Sequence, residues 1–150
     1  MPTIETPVNI EVTDAPRPED ETFVIEQTRA YNRRFTQRDV RRLCVFARAP
    51  DGSIIGGLSG MTYWQYLEVS YLWVDEAHRG AGHATRLMAA AEAEALARGC
   101  RRALLDTFSF QALGFYERMG YREFGRLPGF AGKYHRHFLH KDLDGARRAE

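Results

Sequence analysis

Apolar positions change their period several times along the chain, and each change marks an element. Val69, Tyr71, Leu72, Trp73 and Val74 form a nearly unbroken apolar run, the pattern of a strand covered on both faces. It belongs to an expected central strand over 67–75. After a short glycine-bearing loop, Ala84, Leu87, Met88, Ala91 and Ala95 recur at helical spacing, with Glu92, Glu94 and Arg98 elsewhere on the cylinder. Gly99 follows as a C-terminal stop. Residues 102–107 then read as a short buried strand, so strand, helix and strand form a right-handed crossover whose two strands run parallel. Upstream, Ile10 and Val12 alternate with polar neighbours and predict a first strand over 9–13. Pro16 and Pro18 close it; Glu19, Asp20 and Glu21 open a helix whose far end carries Arg29, Arg33 and Arg34, as the helix dipole prefers. Val24, Thr28, Tyr31 and Phe35 share one face of that helix.

A strand over 43–47 and a second arm over 54–61 flank the turn Pro50-Asp51-Gly52-Ser53. Gly56 and Gly57 suggest a bulge or a close approach in the second arm. Downstream, Ser109 is the expected N-cap of a helix whose stripe is Ala112, Phe115, Tyr116 and Met119, ended by Gly120. Residues 121–126 and 136–143 read as a last pair of strands, joined by a loop that carries Pro128, Gly129 and Gly132. Residues 1–8 and the tail after Asp144 are expected to be loose. The sequence shows neither repeat nor linker, so the expectation is one mixed α/β domain of 150 residues with its core over about 9–143.

Composition narrows the partners. The chain is 44% hydrophobic and 27% charged with a net charge of +1, which is ordinary for a soluble globule and does not point to nucleic acid. Basic clusters at Arg33-Arg34 and from Arg38 to Arg42 read as solvated surface. Cys44 and Cys100 lack metal or redox spacing and read as reduced thiols, Cys44 in the core. With no signal-peptide pattern and no membrane-length apolar run, the expected compartment is the cytoplasm.

The loop before the central helix carries candidate chemistry. Arg79, Gly80, Ala81, Gly82, His83, Ala84 and Thr85 sit where a helix begins and its first N–H groups have no intrahelical partner. Those amides and the positive end of the dipole suit an anion, and the glycines let a phosphate approach the backbone. Thr85 stands where a dinucleotide fingerprint needs its third glycine, and no Lys-Ser/Thr follows as in a nucleoside-triphosphate loop. A plain tight turn is the structural alternative. Arg79-Gly-Ala-Gly82-His-Ala84 resembles the acetyl-coenzyme A loop of the GNAT superfamily of N-acetyltransferases, and Phe115-Tyr-Glu-Arg-Met-Gly-Tyr121 resembles that family's segment after its fifth strand. The resemblance implies the GNAT-like acyl-CoA N-acyltransferase fold: a central mixed β-sheet splayed between the fourth and fifth strands, with helices on both faces.

It also implies roles. The loop amides, with Phe115 nearby, would hold the coenzyme A pyrophosphate; the backbone of Leu72, Trp73 and Val74 would bond the pantetheine arm. Tyr116 matches the family's general acid, and a phenol with a reference pKa near about 10 suits a departing thiolate; a core aromatic is the alternative. Glu68 is the base candidate, against an ordinary acid at the strand's solvated start, with Asp106 and Thr107 a weaker second choice. Ser109 stands where the family often has asparagine, which leaves its contact to the coenzyme open. His83 is expected to point outward, with a phosphate contact as the alternative, and His78 is expected on the surface. His135, His137 and His140 invite a metal, but no completing ligand is evident and none is expected. Tyr63, Trp64, Tyr66, Phe108 and Phe110 read either as an acceptor pocket or as core. The resulting expectation is direct acetyl transfer from acetyl-CoA to a primary amine of a small molecule or peptide. No nucleic-acid or membrane partner is expected, and a homodimer stays open. A noncatalytic acyl-CoA-binding module is the second reading.

Overall fold

The computed structural model describes Thr3 and residues 6–144. The tail after Asp144, expected to fray, lies outside the described residues, as does part of the loose segment 1–8. The chain divides into two compact units, one ending at Arg38 and the other beginning at Asp39.

The first unit contains one regular element, the helix α1, Pro18–Asn32. Proline sits at its start, where no N–H is needed, and Glu19, Asp20 and Glu21 fill the first turn. Arg17 is paired with Asp20 at 3.0 Å, and Arg29 with Glu26 at 2.7 Å. The expected strand over 9–13 does not form: these residues pair with no strand. Alternation alone cannot make a strand, because the ladder needs a hydrogen-bonding neighbour.

The second unit is a six-stranded mixed sheet. Its strands are β1 (Arg41–Arg48), β2 (Ile54–Tyr63), β3 (Tyr66–Val74), β4 (Arg102–Phe108), β5 (Arg122–Phe130) and β6 (Tyr134–Asp142), in the order β1-β2-β3-β4-β6-β5. Two helices punctuate it, α2 (His83–Ala97) and α3 (Leu113–Arg118). Because side chains alternate, one sheet face presents Leu43, Leu58, Leu67, Ala103, Leu105 and Leu139 to Met88, Ala91 and Ala95 of α2 and Tyr116 of α3. Leu67, Met88 and Leu139 are wholly buried, each contributing about 1.5–3 kcal/mol of apolar burial.

Several expectations are corrected by this register. Leu43 faces the core, so Cys44 beside it faces away and is exposed. Glu92 lies on the buried side of α2, where its carboxylate accepts hydrogen bonds from the Tyr121 hydroxyl at 3.0 Å and from Lys141 Nζ at 2.6 Å. Paired in this way, the charge is tolerated in a part-dry site. Ser109 does not cap α3, which begins after Ala112 and spans six residues. Pro128 and Gly129 lie inside β5 instead of a loop; β5 is the sheet edge, where a missing donor and an irregular register are tolerated.

The geometry that makes the site starts in β2 and β3. Their connection is two residues, Trp64 and Gln65, both with positive φ (46° and 68°), and Asp39 accepts a hydrogen bond from the Trp64 N–H at 2.9 Å. Tyr71 opposes Ser59 while Val69 opposes Gly60, so Ser70 is an extra residue on β3. Such a bulge bends its strand. Gly60 permits it: a Cβ there would collide with the Glu68 carbonyl. Beyond the bulge β3 leaves β4. The parallel ladder has only Tyr66↔Arg102, Leu67↔Ala103 and Glu68↔Leu104. With no strand over 9–13, this splay falls between the third and fourth strands.

Candidate active site

A splayed parallel pair leaves backbone groups without ladder partners. From Tyr71 to Val74, β3 is paired with β2 on one side only, and the other side opens on a cleft of about 930 Å³. The cleft is walled by residues 68–74 of β3, the loop into α2, the C-terminal end of β4, and α3.

At one end lies the loop after β3. Asp75 caps the 3-10 turn Glu76–His78, its carboxylate accepting from the Ala77 N–H at 3.2 Å and pairing with His78 Nδ1 at 3.0 Å. The His78 bond holds the Asp75 carboxyl below the usual carboxylate range. Arg79 Nε donates to the Val74 carbonyl at 3.1 Å, folding the loop back on the strand end. Gly80 and Gly82 have φ of +85° and +80°, a region where glycine alone is unstrained, and a Cβ at either would meet open space. Gly82 is the N-cap of α2 and offers no side-chain acceptor. The N–H groups of His83, Ala84 and Thr85 therefore find no acceptor among the described residues. A diphosphate fits this end: free amides, a helix dipole and a backbone without side-chain obstruction.

At the other end Tyr116 reaches the cleft from α3, only 8% exposed. Burial, then the charge of Asp106, raises its phenol pKa above the ordinary value of 10.0, so it remains protonated at neutral pH. Its ring is braced edge-on by Phe115 at 5.2 Å and Tyr121 at 6.0 Å, so it packs against the core while its polar tip reaches the cleft. Glu68 sits on the opposite sheet face from Leu67, half-exposed at the mouth of the splay. Tyr63 on β2 shares a hydrogen bond with Glu68; burial, followed by that carboxylate's charge, raises the Tyr63 phenol pKa.

Of the residues expected from sequence, Glu68, Leu72, Trp73, Val74, Arg79, Gly80, Gly82, His83, Ala84, Thr85, Phe115 and Tyr116 all line this one cleft. Ala81 and Ser109 do not. Ser109 instead extends the pairing of β4 with β6, its Oγ accepting from the His135 N–H at 3.1 Å. His83 and His78 both border the cleft. The turn into α3 is held by Gln111, whose Oε1 accepts from the Phe108 N–H at 2.8 Å, and by Thr107, whose Oγ1 accepts from the Ala112 N–H at 3.4 Å.

Sequence reasoning missed Ser70, Tyr71, Gln111, Arg118 and Arg136 as cleft residues. Nothing local could have brought Arg136 from β6 beside Asp106 and Phe108. Of the aromatic residues at 63, 64, 66, 108 and 110, only Phe108 lines the cleft. Of the histidines at 135, 137 and 140, His137 is engaged by Glu123, its Nδ1 lying 2.7 Å from Oε1.

Comparison with known proteins agrees with this geometry. Residues 8–121 match the model of the acetyltransferase (GNAT) family. The chain is 41% identical over 107 residues to the blasticidin-S acetyltransferase of Streptomyces morookaense, covering 71% of this chain and 79% of that one. It is also 41% identical over 121 residues to the acetyltransferase Atu2258 of Agrobacterium fabrum, covering 80% and 88%. Among solved structures, an acetyltransferase from Bacillus cereus superposes with a TM-score of 0.80 at 29% identity, over 88% of this chain and 97% of that one. A mixed sheet splayed at a parallel pair, an open helix N-terminus beside it and this likeness together identify the chain as an acetyltransferase belonging to the GNAT family.

Proposed function

We propose that the protein transfers the acetyl group of acetyl-CoA directly to a primary amine of a small molecule or peptide, with Tyr116 as general acid and Glu68 as base. The observation that carries this reading is the end of the β3–β4 ladder at Glu68↔Leu104, because one gap then connects the free α2 amides, the unpaired β3 backbone and the Tyr116 phenol. Acetyl-CoA supplies an activated thioester. The amides of residues 83–85 and the Arg79 and His83 side chains are placed to hold its diphosphate. The backbone groups along Leu72, Trp73 and Val74 that face the cleft, and that neither β2 nor Arg79 occupies, would orient an extended amide-bearing arm and donate to the acyl oxygen. Glu68, steadied by Tyr63, takes a proton from the incoming ammonium group, and Tyr116 gives one to the leaving sulfur. Neither cysteine serves as a nucleophile: Cys100 is buried in the core and Cys44 is not on the cleft. Blasticidin S, the antibiotic named for the Streptomyces relative, is the first acceptor to try, and a small-molecule amine is the acceptor class this supports.

Calorimetry with acetyl-CoA and a free-thiol assay against an amine panel test the reading. Tyr116→Phe is expected to lower kcat by about 100-fold, the usual worth of a positioned acid, with acetyl-CoA affinity unchanged. Equal loss of turnover and affinity would make Tyr116 a packing residue. Absence of any acetyl-CoA binding heat would remove the donor assignment altogether.

A further inference from the structure

We propose that Arg136 binds a carboxylate on the acceptor, so that the preferred substrate is an amine carrying a carboxylate away from its reacting nitrogen; this rests on the acetyl-transfer reading above. Arg136 stands near the start of β6 opposite Phe108 and lines the cleft. Its Nε donates to Asp106 Oδ1 at 2.9 Å. Three rings surround the guanidinium, with its central carbon 5.6 Å from the Phe108 centroid, 5.9 Å from Phe130 and 5.1 Å from Phe138.

A guanidinium–carboxylate pair can engage two parallel N–H donors at once. Here one nitrogen is engaged, and neither terminal Nη finds an acceptor among the described residues. The side chain is still 35% exposed. The pair of Nη groups is thus a planar two-donor edge, held by a carboxylate and three rings before any ligand arrives. That edge matches a carboxylate and loses little freedom on binding one.

Position assigns it to the acceptor. Leu104, Asp106 and Phe108 alternate onto one face of β4, and Leu104 stands beside Glu68 while Phe108 stands beside Arg136. The base candidate and the guanidinium therefore share a sheet face. Their β4 neighbours are separated by about 13 Å along the strand, so the acceptor's amine and carboxylate are several bonds apart. The other cleft cations, among them Arg79 and Arg118, belong to the α2 loop and α3.

The test compares linear aminocarboxylates, from glycine to ε-aminocaproate, with their carboxamides under saturating acetyl-CoA. The expected result is kcat/KM about 10-fold or more higher for at least one carboxylate than for its amide, carried by KM, as a charge-assisted hydrogen-bonded pair provides. Arg136→Gln should reduce that ratio to near one, Arg136→Lys should restore part of it, and acetyl-CoA affinity by calorimetry should stay unchanged in both. Turnover of no aminocarboxylate, equal rates for acids and amides, or a ratio untouched by Arg136→Gln overturns the inference. The acid–amide comparison on the unaltered protein decides the matter even where a variant does not fold. Acetyl-CoA binding measured alongside separates failure of this subsite from failure of the acetyl-transfer reading.

Discussion

Tyr63 shows how much a single hydroxyl can do at a site it does not line. It stands on β2, paired with Tyr66, and its bond to Glu68 crosses to the neighbouring strand on the face turned away from α2. A carboxylate at a cleft mouth has many rotamers, and one fixed donor restricts them. Tyr63→Phe is therefore expected to lower kcat/KM for the acceptor by about 5–10-fold, the worth of one hydrogen bond to a charged group, with acetyl-CoA affinity unchanged. Steady-state kinetics with the acceptor varied would read it. Equal effects on both substrates would mean that Tyr63 only supports the sheet. Tyr116 behaves differently, because burial raises its pKa. Its neutral, proton-donating form is the one populated below the folded pKa, so the rate should show no Tyr116-dependent decline until pH exceeds about 10.

Among the elements, β3 decides the architecture of the site. Its extra residue, Ser70, turns the strand away from β4, and Gly60 across the ladder makes room for the turn. In Gly60→Ala the new Cβ meets the Glu68 carbonyl, a backbone atom that cannot rotate aside. The expected outcome is a loss of about 1–3 kcal/mol in denaturant unfolding, together with weaker acetyl-CoA binding because the freed β3 edge shifts. Unchanged stability and affinity would show that the bulge is not held by this contact. The central strand, helix and strand were legible in sequence because their apolar periods are long and unambiguous. The helix α3 was legible from its apolar stripe and Gly120, but its start was not, since Gln111 and Thr107 bonding across the preceding turn set it four residues after Ser109. Residues 9–13 carried strand-like alternation without a strand, because periodicity describes which face is apolar and says nothing of a ladder partner.

Over the whole molecule, the cluster of Glu92, Tyr121 and Lys141 ties α2 to the chain segment after α3 and to β6. Burial, followed by the Glu92 charge, raises the Tyr121 pKa well above its ordinary 10.0. The folded state therefore holds this proton more tightly than the unfolded chain does. That contribution is complete below pH about 10 and is lost as pH rises above it, so alkaline unfolding should begin there. Glu92→Ala leaves Lys141 and the Tyr121 hydroxyl without their acceptor and is expected to cost about 1–3 kcal/mol at neutral pH. It should also shift the alkaline transition, and thermal melts across pH would show both. A melt unchanged at every pH would make the cluster incidental. The chain alone determined the central crossover, the glycine loop that opens α2 and the candidacy of Tyr116 and Glu68, because each is written in residues close together in sequence. Only the tertiary structure decided that Glu92 is buried and Cys44 exposed, that Ser70 is the extra residue, and that Arg136 stands beside Asp106. Those facts depend on which strand lies next to which, and pairing across tens of residues leaves no local periodicity to read.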